Sequence, residues 1–252
     1  MKGIIFIAVI VILLIKNTSF CINTESGDIR SWNTLPMYGY TNGNYQYTEN
    51  DFIFMKETLS KVSSTNQAYQ ELIKLSWKYL SKNDIATAIK RANQAWLFKQ
   101  DDFEVYMLFG ILTRTYSDHF KDMEKVKYLD ESLFYQNIAC RLNPTNGGPN
   151  LDIAMVNQKI YLSYPREKLT LELSNQLIVS AESNFVQAEK YLKDDMRKGM
   201  LYYYWLVFSF LRQDYKLCRQ LYIKACQYKD YVNLKALESI KEKLDEFDLE
   251  NK

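Results

Sequence analysis

The sequence predicts an all-α fold: a right-handed array of about four stacked helix hairpins, closed by a C-terminal capping helix. Three observations carry that expectation. Prolines stand only at Pro36, Pro144, Pro149 and Pro165, so long tracts can hold uninterrupted helices, because proline removes a backbone donor and clashes one turn back. From Thr65 apolar residues recur at helical spacing. Small and large apolar residues then return in paired segments about 34 residues apart, the period of a two-helix unit.

Residues 1–21 read as a signal peptide. Lys2 precedes the apolar run Gly3–Ile15, which is shorter than the roughly 20 residues of a membrane span and fits the apolar region of a secretory signal. Cleavage after Ser19 or Cys21 is expected. Lipid attachment at Cys21, which the Phe20 before it fits badly, and an uncleaved membrane anchor are the alternatives. The formal charge of +2 resides in this segment, through Lys2 and Lys16; without it 30 basic and 30 acidic residues remain. A net charge near zero provides no global field for nucleic acid, and no nucleic-acid partner is expected.

Residues 22–64 are expected to form a polar N-terminal segment and a short helix. Leu35–Gly39 and Thr41–Asn44 read as loop and turn, with at most a short hairpin near Tyr38–Tyr47. The helix should start at Asn50-Asp51 and run to Lys61.

The helical domain should fill 65–252. Helices are expected at about 69–81 and 84–99, 103–117 and 123–141, 151–161 and 171–193, 197–212 and 215–228, with a cap from about 233. In the first pair, Leu72, Leu75 and Tyr79 face Ala88, Ala92 and Ala95 across a turn at Asn83-Asp84-Ile85. Phe103 opens the second pair, with Tyr106, Phe109 and Gly110 in register. Arg114–Glu124 looks like an inserted loop. The third pair carries Ala181, Phe185 and Ala188. The fourth carries Gln213-Asp214-Tyr215, Cys218, Tyr222 and Ala225, and 233–250 is a charged amphipathic cap. This small-and-large pattern, ending Ala139-Cys140-Arg141-Leu142-Asn143-Pro144, is that of tetratricopeptide (TPR) units. Cys140, Cys218 and Cys226 read as small buried residues. Cys218 and Cys226 lie about 12 Å apart along one helix, too far for a disulfide.

Two stretches carry a closer resemblance: Leu35-Pro-Met-Tyr-Gly39, and Asp84–Leu97 (with Asn93-Gln-Ala-Trp-Leu97) followed by Val105-Tyr106 and Phe109-Gly110. Over about residues 34–112 the chain resembles a family of exported bacterial tetratricopeptide proteins. It departs from the family at Ala92, where Phe is usual, and at Lys99-Gln100-Asp101, where an Asp/Asn-Pro ending is usual. The resemblance implies the fold and export, and no biochemical activity.

No catalytic or cofactor-binding set is legible. His119 is the only histidine and reads as a surface loop residue. There is no P-loop, nucleophile elbow or metal-ligand spacing. Asp101-Asp102 and Asp194-Asp195 read as helix caps, and Gly147-Gly148 as an isolated turn signal. No cofactor and no metal are expected.

By register, the first helix of each pair lines a concave face. Ile73, Trp77, Met107, Ile111, Tyr203, Val207 and Phe210 are the candidate binding residues there. In the run Tyr202–Trp205 one or two rings should face groove or solvent, since successive helical residues point about 100° apart. The expected function is a non-catalytic protein- or peptide-binding scaffold in the bacterial cell envelope, its partner unidentified. The alternatives are an assembly protein whose groove is filled from within, by the Trp32–Tyr47 segment or the capping helix, and which acts through its outer face; and, behind both, an enzyme with a composite site.

Overall fold

The computed structural model describes residues 31–40 and 45–250. The expectations for the signal segment 1–21 and the turn at Thr41–Asn44 fall outside them. Among the described residues the regular structure is helical, with no strand. Ten α-helices run α1 Glu49–Leu59, α2 Thr65–Leu80, α3 Ile85–Phe98, α4 Phe103–Tyr116, α5 Asp122–Leu142, α6 Gly147–Ser163, α7 Leu171–Tyr191, α8 Asp195–Leu211, α9 Tyr215–Cys226 and α10 Leu234–Glu250.

Local chemistry sets most helix starts. Thr48 caps α1 in a reciprocal capping box with Asp51, so the cap lies just before the expected Asn50-Asp51. Ser64, Asp84, Asp102, Asn146, Thr170, Asp194 and Asp214 each accept a backbone N–H of the first turn that follows. Such a side chain satisfies a donor that has no intrahelical partner.

The packing is sequential. The closest pairings are α2 with α3, α4 with α5, and α6 with α7, followed by α5 with α6 and α8 with α9. The first helices α4, α6 and α8 also touch in succession. Within pairs, small residues and buried hydroxyls allow close approach. Ser76 Oγ donates to the Ala88 carbonyl at 2.8 Å, and Ser132 Oγ to the Gly110 carbonyl at 2.7 Å. A methyl on Gly110 would lie 2.4 Å from Gln136 Nε2. These contacts explain Gly110 and the alanine positions better than helix propensity does.

The core divides into three clusters. An N-terminal one joins α2, α3 and α4 with Met37, Tyr38 and α5 residues such as Tyr135. A C-terminal one joins α6 to α10 through Phe185, Leu201, Phe208, Cys218 and Leu237. Val126, Leu129, Val156, Ile160 and Leu177 form the third, where α5, α6 and α7 meet. Helix α6 is buried at every position from Gly147 to Gln158 except the half-buried Asn150, as expected of a helix enclosed by neighbours on nearly all sides.

Met37 and Tyr38 belong to the N-terminal core, and Phe54 and Met55 pack on it. Four expectations change. In place of a hairpin near Tyr38–Tyr47, Trp32–Thr34 and Pro36–Gly39 form 3-10 turns. The insertion at Arg114–Glu124 is mostly helix, because α4 runs to Tyr116, a 3-10 turn covers Ser117–His119, and α5 starts at Asp122. Gly147-Gly148 is the first turn of α6, capped by Asn146; Pro149 is tolerated there because its missing N–H would have had no partner. Cys218 is buried as expected and Cys140 partly so, but Cys226 is exposed at the end of α9, and all three are free. His119 is exposed.

Candidate functional site

The structure separates the seven candidate residues. Ile73 and Met107 are 1% and 5% exposed, so they are core residues and not surface anchors. Met107 is covered by the N-terminal turn of α6, where its sulfur approaches Gly148. Trp77 and Ile111 are half-buried against the N-terminal cluster. Tyr203, Val207 and Phe210 are half-buried against the C-terminal cluster. These two sets face different cores, with the enclosed helix α6 between their helices. In the run Tyr202–Trp205, Tyr202 and Trp205 are buried while Tyr203 and Tyr204 are half-buried and pack edge to face.

Charged residues on the first helices escape a reading by apolar register. Arg114 Nη2 of α4 donates to Asp152 Oδ1 of α6 at 3.0 Å. Just past the end of α4, Asp118 accepts from Lys159 of α6 at 2.8 Å and from Lys125 of α5 at 2.9 Å. Arg114 and Asp118 are one turn apart, and Asp152 and Lys159 two turns apart, so each pair forms a stripe along its helix. The stripes match with opposite sign. Burial pushes the Asp152 carboxyl up, against the charges of Arg114 and Arg197. Burial also raises the Asp118 carboxyl, but hydrogen bonds from Lys159 and Lys125 outweigh it and leave Asp118 below its ordinary range. The signal existed in the sequence, yet it becomes visible only once α4 and α6 are known to be neighbours.

A second surface is built by the N-terminal segment. Met37, Tyr38 and Gly39 have φ of 52°, 53° and 80°, three successive left-handed residues, a conformation that costs about 1–2 kcal/mol for a residue with a Cβ. Two contacts with α3 hold them. The fully buried Asn93 donates through Nδ2 to the carbonyls of Leu35 at 2.8 Å and Asn33 at 3.2 Å. The Met37 and Tyr38 side chains are buried. The two stretches that carry the family resemblance, Leu35–Gly39 and Asn93–Leu97, therefore touch. The segment covers α3, the second helix of its pair, and so does not fill the face lined by first helices. The cap α10 packs on α9.

The outside of this segment is an aromatic ledge. Trp32 stacks on Tyr38 at 4.7 Å, Tyr38 on Tyr45 at 5.5 Å, and Tyr45 meets Trp96 edge-on at 5.1 Å. Tyr40 and Tyr47 pack edge-on against Tyr45, and Tyr47 continues to Phe52 at 5.6 Å. Two hydroxyls turn inward. Tyr45 donates to Asp51 Oδ2 at 2.6 Å, and Tyr47 to the Leu97 carbonyl at 3.0 Å. The same Asp51 oxygen, buried, accepts from the Thr48 backbone N–H and hydroxyl. Burial and this bond hold the Tyr45 hydroxyl far above its ordinary pKa. Trp32 and Phe52 remain 52% and 61% exposed, and Tyr40, Tyr47 and Ile53 are exposed beside them.

No family model, no curated protein and no solved structure matches this chain. Among the described residues no group of three or more His, Cys, Asp and Glu could hold a metal ion. No helix there is long and apolar enough to cross a membrane.

Proposed function

We propose that the protein is a non-catalytic scaffold of TPR-like hairpins, in a right-handed array, that binds a protein or peptide in the cell envelope of a bacterium. The observation that supports this most is the succession of touching first helices α4, α6 and α8. Half-exposed apolar side chains flank the enclosed α6 on either side. Trp77, Ile111, Tyr203, Val207 and Phe210 are the anchors, since aromatic and aliphatic side chains dominate interface energies. Ile73 and Met107 support them from the core.

One observation favours the outer face as a second reading. The second helices α7 and α9 expose Val179, Val186 and Ile223, the last at 64%. These helices are joined by the Glu189–Lys224 ion pair at 2.6 Å.

Capture of partners from envelope extract, run beside thermal melts, separates the two. Trp77→Ala and Tyr203→Ala should lose the captured partner while the fold survives. If either ring is core instead, its removal costs about 3–5 kcal/mol and leaves capture unchanged. Capture lost only in Val179→Ser, Val186→Ser and Ile223→Ser would move the site to the outer face.

A further inference from the structure

We propose that the N-terminal aromatic ledge seats on a lipid bilayer, with Trp32, Phe52 and Ile53 entering the boundary between headgroups and acyl chains. The inference goes beyond the scaffold reading and stands apart from it, because it uses a different surface.

Four features support this occupant. The ledge is a connected set of rings whose outward edge includes Trp32, Tyr40, Tyr47, Phe52 and Ile53, all exposed. Contiguous apolar patches with a polar rim are uncommon on a free surface and mark contact sites. The hydroxyls of Tyr45 and Tyr47 bond inward, to Asp51 and to the Leu97 carbonyl. What those two rings turn outward is therefore hydrocarbon, which suits acyl chains better than a ligand read by hydrogen bonds. Trp and Tyr are also the residues that favour the interfacial layer of a membrane.

The ledge is held before any ligand arrives. Asn93 fixes the backbone at Asn33 and Leu35, and the Thr48–Asp51 capping box fixes the start of α1. Seating therefore orders little new chain, so little conformational entropy opposes it.

Its place in the chain completes the case. The apolar run Gly3–Ile15 is the part of the sequence suited to a bilayer. The chain between Ile15 and the ledge can reach at most roughly 55 Å. Whenever that run is membrane-held, the ledge is the first apolar surface that the chain reaches among the described residues. Charges beside it are mixed, with Glu49, Lys56 and Glu57 on α1, so zwitterionic lipid suffices and salt should matter little.

The test uses full-length protein in phosphatidylcholine vesicles whose acyl chains are brominated near the headgroup. Co-flotation with the vesicles selects the bound protein of each variant, so quenching of its tryptophan fluorescence reports the ledge. Of the four tryptophans, Trp32 should account for the quenched signal. Quenching should be mostly lost in Trp32→Phe and in Phe52→Ser/Ile53→Ser, with unchanged circular dichroism, and should persist at high salt. Vesicle-bound protein with unquenched Trp32 overturns the proposal, as does quenching that survives these substitutions. A dimer lost in Phe52→Ser/Ile53→Ser, with Trp32 unquenched, would assign the ledge to a second copy and equally overturn it. None of these outcomes depends on partner capture by Trp77 or Tyr203.

Discussion

Asn93 does more for the fold than its place inside an apolar helix face suggests. It is fully buried, and its amide is the polar tie between α3 and the carbonyls of Asn33 and Leu35. Asn93→Ala leaves those carbonyls without their donor, which costs about 1–3 kcal/mol. The expected result is a lower urea midpoint together with faster proteolysis near Tyr38 and Tyr40. A second residue-scale effect concerns pH. Burial alone pushes the Asp130 carboxyl from 3.8 up to about 6. A raised carboxyl favours the folded state fully below pH 3.8, and that contribution is lost as pH rises through 6. Asp130→Asn should therefore stabilise the protein at pH 7 by on the order of 1–3 kcal/mol and be nearly neutral at pH 3.5. Denaturant melts at the two pH values check this. Of the seven candidate residues, Trp77, Ile111, Tyr203, Val207 and Phe210 are half-buried, whereas Ile73 and Met107 are buried. Spacing defines a face of a helix, whereas the neighbour that covers that face, as α6 covers Met107, lies far away in the sequence.

The repeat shows most clearly in two turns. In the first pair Asn83 N–H bonds to Leu80 at 2.9 Å and Asp84 N–H to Tyr79 at 3.0 Å. In the fourth, Gln213 N–H bonds to Phe210 at 2.9 Å and Asp214 N–H to Ser209 at 3.0 Å. Asn83 and Gln213 both take left-handed φ, 60° and 61°, and each following Asp caps the next helix. Asparagine accepts that conformation more readily than glutamine. Gln213→Gly should therefore stabilise the protein by up to about 1 kcal/mol, read as a higher denaturant midpoint, and Asn83→Gly by less. Equal or reversed effects would mean that the Gln213 side chain contributes something the backbone account omits. The second and third pairs lack this turn, having the 3-10 turn at Ser117–His119 and the longer connection through Pro165 instead. The extra residues of the second pair went into longer helices.

At the scale of the molecule, α6 is shared. It contributes Leu151, Ala154 and Met155 to the C-terminal core and Val156 and Ile160 to the cluster joining it to α5. Its Asp152 pairs with Arg114 of α4. A stack whose units meet only their neighbours can unfold in steps, but a helix buried on all sides couples the two halves. Urea unfolding followed by tryptophan fluorescence and by circular dichroism should give coincident transitions. Arg114→Ala should destabilise the protein by about 3–5 kcal/mol, because it removes the hydrogen-bonded partner of the buried Asp152 and leaves Arg197 alone to offset its charge. Separated transitions in the unmodified protein would show that α6 does not transmit stability across the array.

The sequence by itself determined the helical class, the order of the helices and the caps at Asp102 and Asp194. Those depend on local chemistry: 3.6-residue periodicity, scarce proline, and Asp, Ser or Thr before a first turn. It also showed the small positions Ala88, Ala92, Cys218 and Ala225, which are buried where helices meet. Only the tertiary structure decided which faces are closed. Burial of Ile73 and Met107, the matched Arg114–Asp152 and Asp118–Lys159 pairs, and the seating of Leu35–Gly39 on Asn93 all join residues distant in the chain. A periodic pattern specifies the direction in which a side chain points along its own helix. What it meets there is set by the packing of other helices, and that packing seats the N-terminal segment on α3 with part of its aromatic edge exposed.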